Sequence, residues 1–222
     1  YIDGIKCFVP AGAAAKRKAR KDYFEGRDVD ACPVPTLTIE QKEAVEEITP
    51  YIEKRTHRVF MIHGVTSSGK TEVYIRLIGE CVNRGRTAIM LVPEISLTSQ
   101  TIRRFQERFG SEQLAVLHSK LTKGERYDQW MRIKNGEAKV VIGARSAIFA
   151  PIENIGVIIL DEEHETTYKS DMTPKYDTAE VAIKRAEISG GLVLLGSATP
   201  SMTTSYRADN GTYGKITLKN RY

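Results

Sequence analysis

Between residues 58 and 195 the chain alternates short, largely apolar runs with longer segments that carry helix-start signals. The runs at 58–62, 87–92, 113–117, 139–142, 157–160 and 192–195 are rich in Val, Ile and Leu and lack polar alternation. Strands of that kind are covered on both faces. Helices are expected to begin near Lys70, Ser96, Lys123 and Thr178. Ahead of them, Thr38-Ile39-Glu40-Gln41 has a capping-box pattern and opens a helix through Ala44, Val45 and Ile48, which Pro50 is expected to end or kink. A second capping-box pattern, Thr122 with Glu125, precedes the helix carrying Trp130, a residue expected in the core. Strands joined by helix-length crossovers predict an α/β domain, its sheet doubly wound and mostly parallel, with helices on both faces.

The flanks differ. Residues 1–36 are Ala-rich, then basic (Lys16-Arg17-Lys18-Ala19-Arg20-Lys21), then broken by Gly26, Pro33 and Pro35, the composition of a linker or arm. The basic run suits either a solvated hinge or contact with phosphates. Residues 37–207 form the expected domain and 208–222 a C-terminal linker. The chain has 222 residues, enough for one such core, and it reads as a piece of something longer.

Composition adds less. The 33 Lys and Arg against 28 Asp and Glu give a net charge of +5, compatible with a polyanionic partner without requiring one. Cys7, Cys32 and Cys81 are far apart and odd in number, which argues against a disulfide framework and against zinc, and points to a reducing, cytosolic setting. His63, His118 and His164 have no metal-ligand spacing, and the stretch from His164 to Tyr168 fails H-E-x-x-H at its fifth residue. No apolar run approaches a bilayer span, so no membrane association is expected.

The chemistry begins at Gly64-Val65-Thr66-Ser67-Ser68-Gly69-Lys70-Thr71, which matches G-x-x-x-x-G-K-[ST] and sits between an expected strand and an expected helix. Its glycines let backbone N–H groups and a helix N-terminus face phosphates. Lys70 supplies charge for the β- and γ-phosphates of ATP, and the Thr71 hydroxyl is a hard ligand for Mg²⁺. The strand at 157–160 runs into Asp161-Glu162-Glu163-His164, which puts carboxylates at the sheet's C-terminal edge. Asp161 is the natural partner of Mg²⁺, through water, and Glu162 is placed to orient and deprotonate an attacking water. Roughly ninety residues separate Lys70 from Asp161, the spacing of motor lobes.

Further strand ends carry polar groups. Ser197-Ala198-Thr199 offers hydroxyls for sensing the γ-phosphate or bridging to the acidic box. The segments Val92-Pro93-Glu94-Ile95-Ser96-Leu97-Thr98 and Gly143-Ala144-Arg145-Ser146-Ala147 have the chemistry for gripping a phosphodiester backbone, with Pro93, Thr98, Arg145 and Ser146 as candidates. Tyr168, Lys169, Lys175 and Tyr176 interleave aromatics with lysines in a polar loop, suited to stacking bases or to packing at the loop's base. Gln41 has two open roles, closing the capping box or presenting its amide to an adenine edge.

In order along the chain, these motifs resemble the bacterial primosomal replication-restart helicases of helicase superfamily 2. The likeness runs from about Leu37 to Arg207 and is most specific in Gly64 to Tyr74, Leu91 to Thr98, Leu117-His118-Ser119, Gly143 to Pro151, Asp161 to His164 and Gly196 to Pro200. The resemblance implies a RecA-like P-loop lobe of an ATP-driven, 3′-to-5′ DNA helicase in the bacterial cytoplasm. Its implied partners are single-stranded and forked DNA, primosome proteins and single-strand-binding proteins. It moves Gln41 toward adenine recognition and makes Tyr168 and its neighbours an aromatic-rich loop linking strand binding to hydrolysis. A RecG-type branch-migration helicase, another superfamily 2 translocase, and a nucleotide-gated binding module without turnover are the alternatives. Ser67 stands where the family usually has Gly, Ala144 where it has Thr, and Asp177-Thr178-Ala179-Glu180 where it often reads His-Ala-Arg-Asp. The family's fork-binding domain, zinc insertion and second motor lobe with its arginine finger have no counterpart in these residues. A weakly active or inactive fragment is therefore expected.

Overall fold

The computed structural model describes residues 34–220 except Thr66 and Met172. The basic run at 16–21, with Cys7 and Cys32, lies outside the described residues. Seven strands, Arg58–Gly64 (β1), Thr87–Leu91 (β2), Leu114–Leu117 (β3), Val140–Gly143 (β4), Ile155–Asp161 (β5), Leu192–Ser197 (β6) and Gly214–Leu218 (β7), form one sheet in the order β3-β4-β2-β5-β6-β1-β7. Every pairing is parallel, so the expected mostly parallel, doubly wound α/β sheet is here wholly parallel.

Alternation of side chains sorts the core into two layers. Phe60, Ile62, Ala88, Met90, Ile159 and Leu194 face a cluster completed by helices Ile39–Glu53 (α1), Lys70–Asn83 (α2) and Ser99–Gln113 (α3). Val59, Met61, Ile89, Leu91, Ile158 and Leu195 face the other, closed by Lys123–Lys134 (α4), Thr178–Ser189 (α5), Met202–Asp209 (α6) and the 3₁₀ turn Arg145–Phe149. Among the described residues no helix is long and apolar enough to cross a membrane.

Four expectations change. Pro50 does not end α1, which continues to Glu53, with the Lys54 N–H returning to the Pro50 carbonyl at 3.0 Å. Proline sits there in the last turns, where the lost N–H removes one bond and tertiary packing of Ile48 and Ile52 holds the rest. The helix expected near Ser96 starts at Ser99, capped by the Thr98 hydroxyl, after a turn closed by Ser96 N–H on the Pro93 carbonyl. The stretch 208–222, expected as a linker, contains β7, which pairs with β1. Its edge position leaves Lys215 and Thr217 exposed between buried Ile216 and Leu218, an alternation too short to stand out. Trp130 is half-buried outside both core clusters, with Lys134 Nζ 5.1 Å from its ring centroid.

Several arginines tie loops to the sheet through carbonyl oxygens. Arg132 donates to Leu114, Ser111 and Glu112, and Arg185 to Ile148, Ala150 and Ile152. Arg86, 1% exposed, donates from Nη2 to the Ile155 carbonyl and, at 2.8 Å, to that of Ser189, the last residue of α5. A helix C-terminus is a favourable place for a cation, yet burial depresses the pKa of Arg86. Arg86→Ala strands both carbonyls and opens a cavity, and urea unfolding is expected to show a loss of about 3 kcal/mol. Arg86→Met keeps the volume and removes the buried charge, with an expected loss of about half that.

Candidate nucleotide and coupling site

The β1 strand delivers Gly64 to the sheet's C-terminal edge, and the next turn folds back with the Ser68 N–H on the Val65 carbonyl at 3.0 Å. Gly69, at φ 79°, then launches α2, and the Glu72 N–H returns to the Gly69 carbonyl. Lys70 is buried and crosses the loop, its Nζ 2.7 Å from the Gly64 carbonyl and 3.8 Å from Glu162 Oε1. Ser68 is buried with a hydroxyl that has no partner among the described residues. Ser67 holds φ 68°, a left-handed conformation that glycine adopts without strain. Thr66 lies outside the described residues, and Thr71 is half-buried in the first turn of α2.

The register of three strands assembles the other half. Gly196 on β6 pairs with Ile62 on β1 and with Asp161 on β5, so the phosphate loop and the acidic box are two strands apart. Tyr74, fully buried on α2, donates its hydroxyl to Asp161 Oδ1 at 3.1 Å. Burial first, then the neighbouring Glu162 carboxylate, pushes the Asp161 carboxyl up to about 6, against the pull of Lys70 and the Tyr74 hydroxyl. Burial beside the same carboxylates drives the Tyr74 and Tyr168 hydroxyls well above the usual phenol range. Glu162 has φ 49°, a second left-handed non-glycine residue facing the loop.

Two carboxylates therefore share one ammonium. That deficit of positive charge, with the carboxylates and the Thr71 hydroxyl as hard oxygen donors, fits a Mg²⁺ site at Asp161 and Thr71. Among the described residues no group of three His, Cys, Asp or Glu side chains is poised to hold a metal by itself. A site that keeps most of its ligands as water and phosphate needs no such group.

Beyond Asp161 the box fans out. The Ser197 hydroxyl accepts the Thr199 N–H at 2.9 Å and lies 2.7 Å from His164 Nδ1, which is 3.7 Å from Glu162 Oε2. Ser197 thus bridges to the acidic box. Glu163 turns away, taking the Ser201 N–H at 2.7 Å and the Thr204 hydroxyl at 3.2 Å, and so fastens the start of α6.

The residues expected to touch nucleic acid divide by exposure. Thr98, Ser146, Lys169 and Thr199 are exposed, whereas Pro93 and Ser197 are buried. Tyr168, 3% exposed, is no stacking platform: its ring packs in the core and its hydroxyl donates to the Asp161 carbonyl at 2.8 Å. Tyr176 is half-buried, edge-on to Phe149 with ring centroids 4.9 Å apart. Arg145 donates to the carbonyls of Thr167 and Lys169, bracing the loop that contains Tyr168. Asp177 caps α5, and the Thr178 hydroxyl donates to the Tyr168 carbonyl, so these two departures from the family pattern have local structural work.

Gln41 is 1% exposed. Its Oε1 takes the Thr38 N–H at 3.0 Å, closing the capping box, and its Nε2 donates to the Ser68 carbonyl at 3.1 Å. It therefore ties α1 to the back of the phosphate loop. The sequence alone assigns no separate role to Tyr74 or Glu163. Each acts through a partner distant along the chain, and only the missing side chain at Gly196 signals the space that the Tyr74 hydroxyl needs.

Residues 38–207 match the model of the DEAD/DEAH box helicase family. The replication restart protein PriA of Bacillus subtilis is 53% identical over 189 residues, which are 85% of this chain and 23% of that protein. The replication restart protein PriA of Synechocystis is 46% identical over 191 residues, 86% of this chain and 22% of that one. The chain thus spans about a quarter of the length of these relatives. The structure of RecG bound to a three-way DNA junction superposes with a TM-score of 0.60 at 27% identity, covering 85% of this chain and 24% of that one.

Two stability effects follow from the site without ligands. The folded-state pKa of Asp161 near 6 exceeds its ordinary 3.8, so between those values the folded state binds more protons than the unfolded. Stability from this group is therefore full below about pH 4 and falls as pH rises to about 6, by about 3 kcal/mol. Asp161→Asn is expected to abolish that fall, matching the parent near pH 4 and exceeding its stability at pH 7.5 when both are unfolded in EDTA. Ser67→Gly is expected to gain about 0.5–1 kcal/mol at any pH by relieving the left-handed serine.

Proposed function

Because the chain belongs to the DEAD/DEAH box helicase family, we propose that residues 37–207 are the ATP-binding lobe of a 3′-to-5′ DNA helicase that acts in replication restart. The observation that carries the reading is the joining of Lys70, Asp161 and Glu162 at one sheet edge, with the polar loop at 165–176 bonded to Asp161 through Tyr168. A nucleotide pocket alone would not need that attachment. The identity to two replication restart proteins favours this class over a RecG-type helicase, and the intact Lys70, Asp161 and Glu162 weigh against a binding module without turnover.

In this reading ATP phosphates replace the Gly64 carbonyl as the partner of Lys70, and backbone N–H groups of residues 67–71 line the cradle. Thr71 and, through water, Asp161 are the residues that would hold Mg²⁺, which would supply charge neutralisation along the phosphates. Glu162 orients a water against the γ-phosphorus and accepts its proton as the bond to the ADP oxygen breaks. His164 and Ser197 link Glu162 to the Ser197-Ala198-Thr199 turn. Thr98, Ser146, Lys169 and Thr199 are the exposed groups for a DNA backbone, while Arg145, Tyr168 and Tyr176 set the shape of the coupling loop. Primosome and single-strand-binding proteins are the proposed partners and the bacterial cytoplasm the proposed location.

The test is ATP hydrolysis by a protein carrying this lobe and a second motor lobe, with single-stranded, forked and duplex DNA. Single-stranded and forked DNA are expected to stimulate turnover, Lys70→Ala to lose ATP binding, and Glu162→Gln to bind ATP while hydrolysing it about 100-fold or more slowly. The lobe alone, lacking a trans arginine, is expected to bind ATP with little DNA-stimulated turnover. Absence of stimulation by single strands in the two-lobe protein would refute the motor.

A further inference from the structure

We propose that Tyr74 is a positioning residue whose buried hydroxyl orients the Asp161 carboxylate for Mg²⁺, and that Gly196 lacks a side chain to leave room for it. The proposal rests on the ATP-binding reading of the site. Tyr74 projects from the second turn of α2, the helix whose first residues are Lys70 and Thr71. Its hydroxyl reaches Asp161 Oδ1 at 3.1 Å, and a Cβ built on Gly196 would lie 1.7 Å from that hydroxyl and 2.8 Å from the ring carbon bearing it. The phenol is therefore seated on the backbone of β6, at the residue paired with Asp161. That arrangement makes one rigid part of the phosphate-loop helix, the acidic strand and the start of the Ser197-Ala198-Thr199 turn.

The chemistry explains why a phenol suits the place. A carboxylate that reaches a metal with one oxygen through a bound water keeps its orientation best when the other oxygen accepts a hydrogen bond from a fixed donor. Tyrosine offers a neutral donor on a stiff ring, so it orients Asp161 without cancelling the negative charge the cation needs. A lysine or arginine in its place would compete with the metal. The nearby cation, Lys70, instead contacts Glu162 and the Gly64 carbonyl.

The test uses the whole chain and a fluorescent, non-hydrolysable ATP analogue, titrated in EDTA and then across Mg²⁺ concentrations. For the parent, Mg²⁺ is expected to tighten analogue binding. For Tyr74→Phe, affinity in EDTA is expected to stay within twofold of the parent, while the half-saturating Mg²⁺ concentration rises about tenfold. A purely structural tyrosine would change both affinities together. Gly196→Ala is expected to show the same Mg²⁺ defect, and the Tyr74→Phe, Gly196→Ala double variant to be less than the sum of the two, because both act on one contact. If Tyr74→Phe responds to Mg²⁺ as the parent does, the positioning role is overturned while the nucleotide site stands. If the parent's affinity does not respond to Mg²⁺ at all, the ATP-binding reading and this proposal are overturned together.

Discussion

The constraint on which the rest of the structure depends is the placing of two adjacent carboxylates, Asp161 and Glu162, at the end of a strand buried on both faces, with one ammonium between them and the phosphate loop. Left alone, such a pair repels itself and resists desolvation, and the raised pKa of Asp161 records that cost. A domain can hold it only if the surrounding backbone cannot relax. The all-parallel sheet supplies this, since Val157, Ile158, Ile159 and Leu160 are fully buried and hydrogen-bonded on both sides by β2 and β6. The folding free energy of the core sustains a destabilised site, a trade commonly seen where function needs charge in a dry place.

Charge elsewhere follows the same logic of inward use. A net +5 suggests a surface for polyanions, but Arg86, Arg132 and Arg185 spend their guanidinium groups on backbone carbonyls at the ends of helices and strands. Glu72, buried one residue past Thr71, gathers Arg76, Arg108 and Arg104 at 3.1, 2.9 and 3.4 Å. These contacts fix α2 against α3 and against the segment entering α1, where Arg76 also meets the Pro35 carbonyl. Formal charge thus overstates what is free to meet a nucleic acid, because a planar, multi-donor cation is also the best available tie for unpaired carbonyls.

Legibility in the sequence followed the range of the interaction. Six of the strands and the phosphate loop are local patterns, and the structure has them within a few residues of their expected places. The capping boxes at Thr38 and Thr122, closed over three residues, were equally readable. What escaped depends on contacts across the fold. Tyr168 could be read as a stacking aromatic or as one that packs at the loop's base, and only its burial beside α5 and its bond to the Asp161 carbonyl of β5 show the second arrangement. Gln41 offered two roles, and only the placing of Ser68, 27 residues on, shows which groups its amide meets here. The β7 strand alternates over five residues, a pattern that gains meaning only beside β1.

Asp161 is held from two sides by two phenols, and the division between them matters. Tyr74 binds its carboxylate and comes from the helix that begins at the phosphate loop, while Tyr168 binds its main-chain carbonyl and comes from the loop braced by Arg145. The loop is thus joined to the backbone of Asp161 and the phosphate-loop helix to its side chain. With the Ser197 hydroxyl of β6 bonded to His164, the phosphate-loop helix, the loop at 165–176 and β6 each meet the acidic box through a distinct hydrogen bond. The acidic box is thereby tied to three separate segments of the chain while its own strand is paired on both sides.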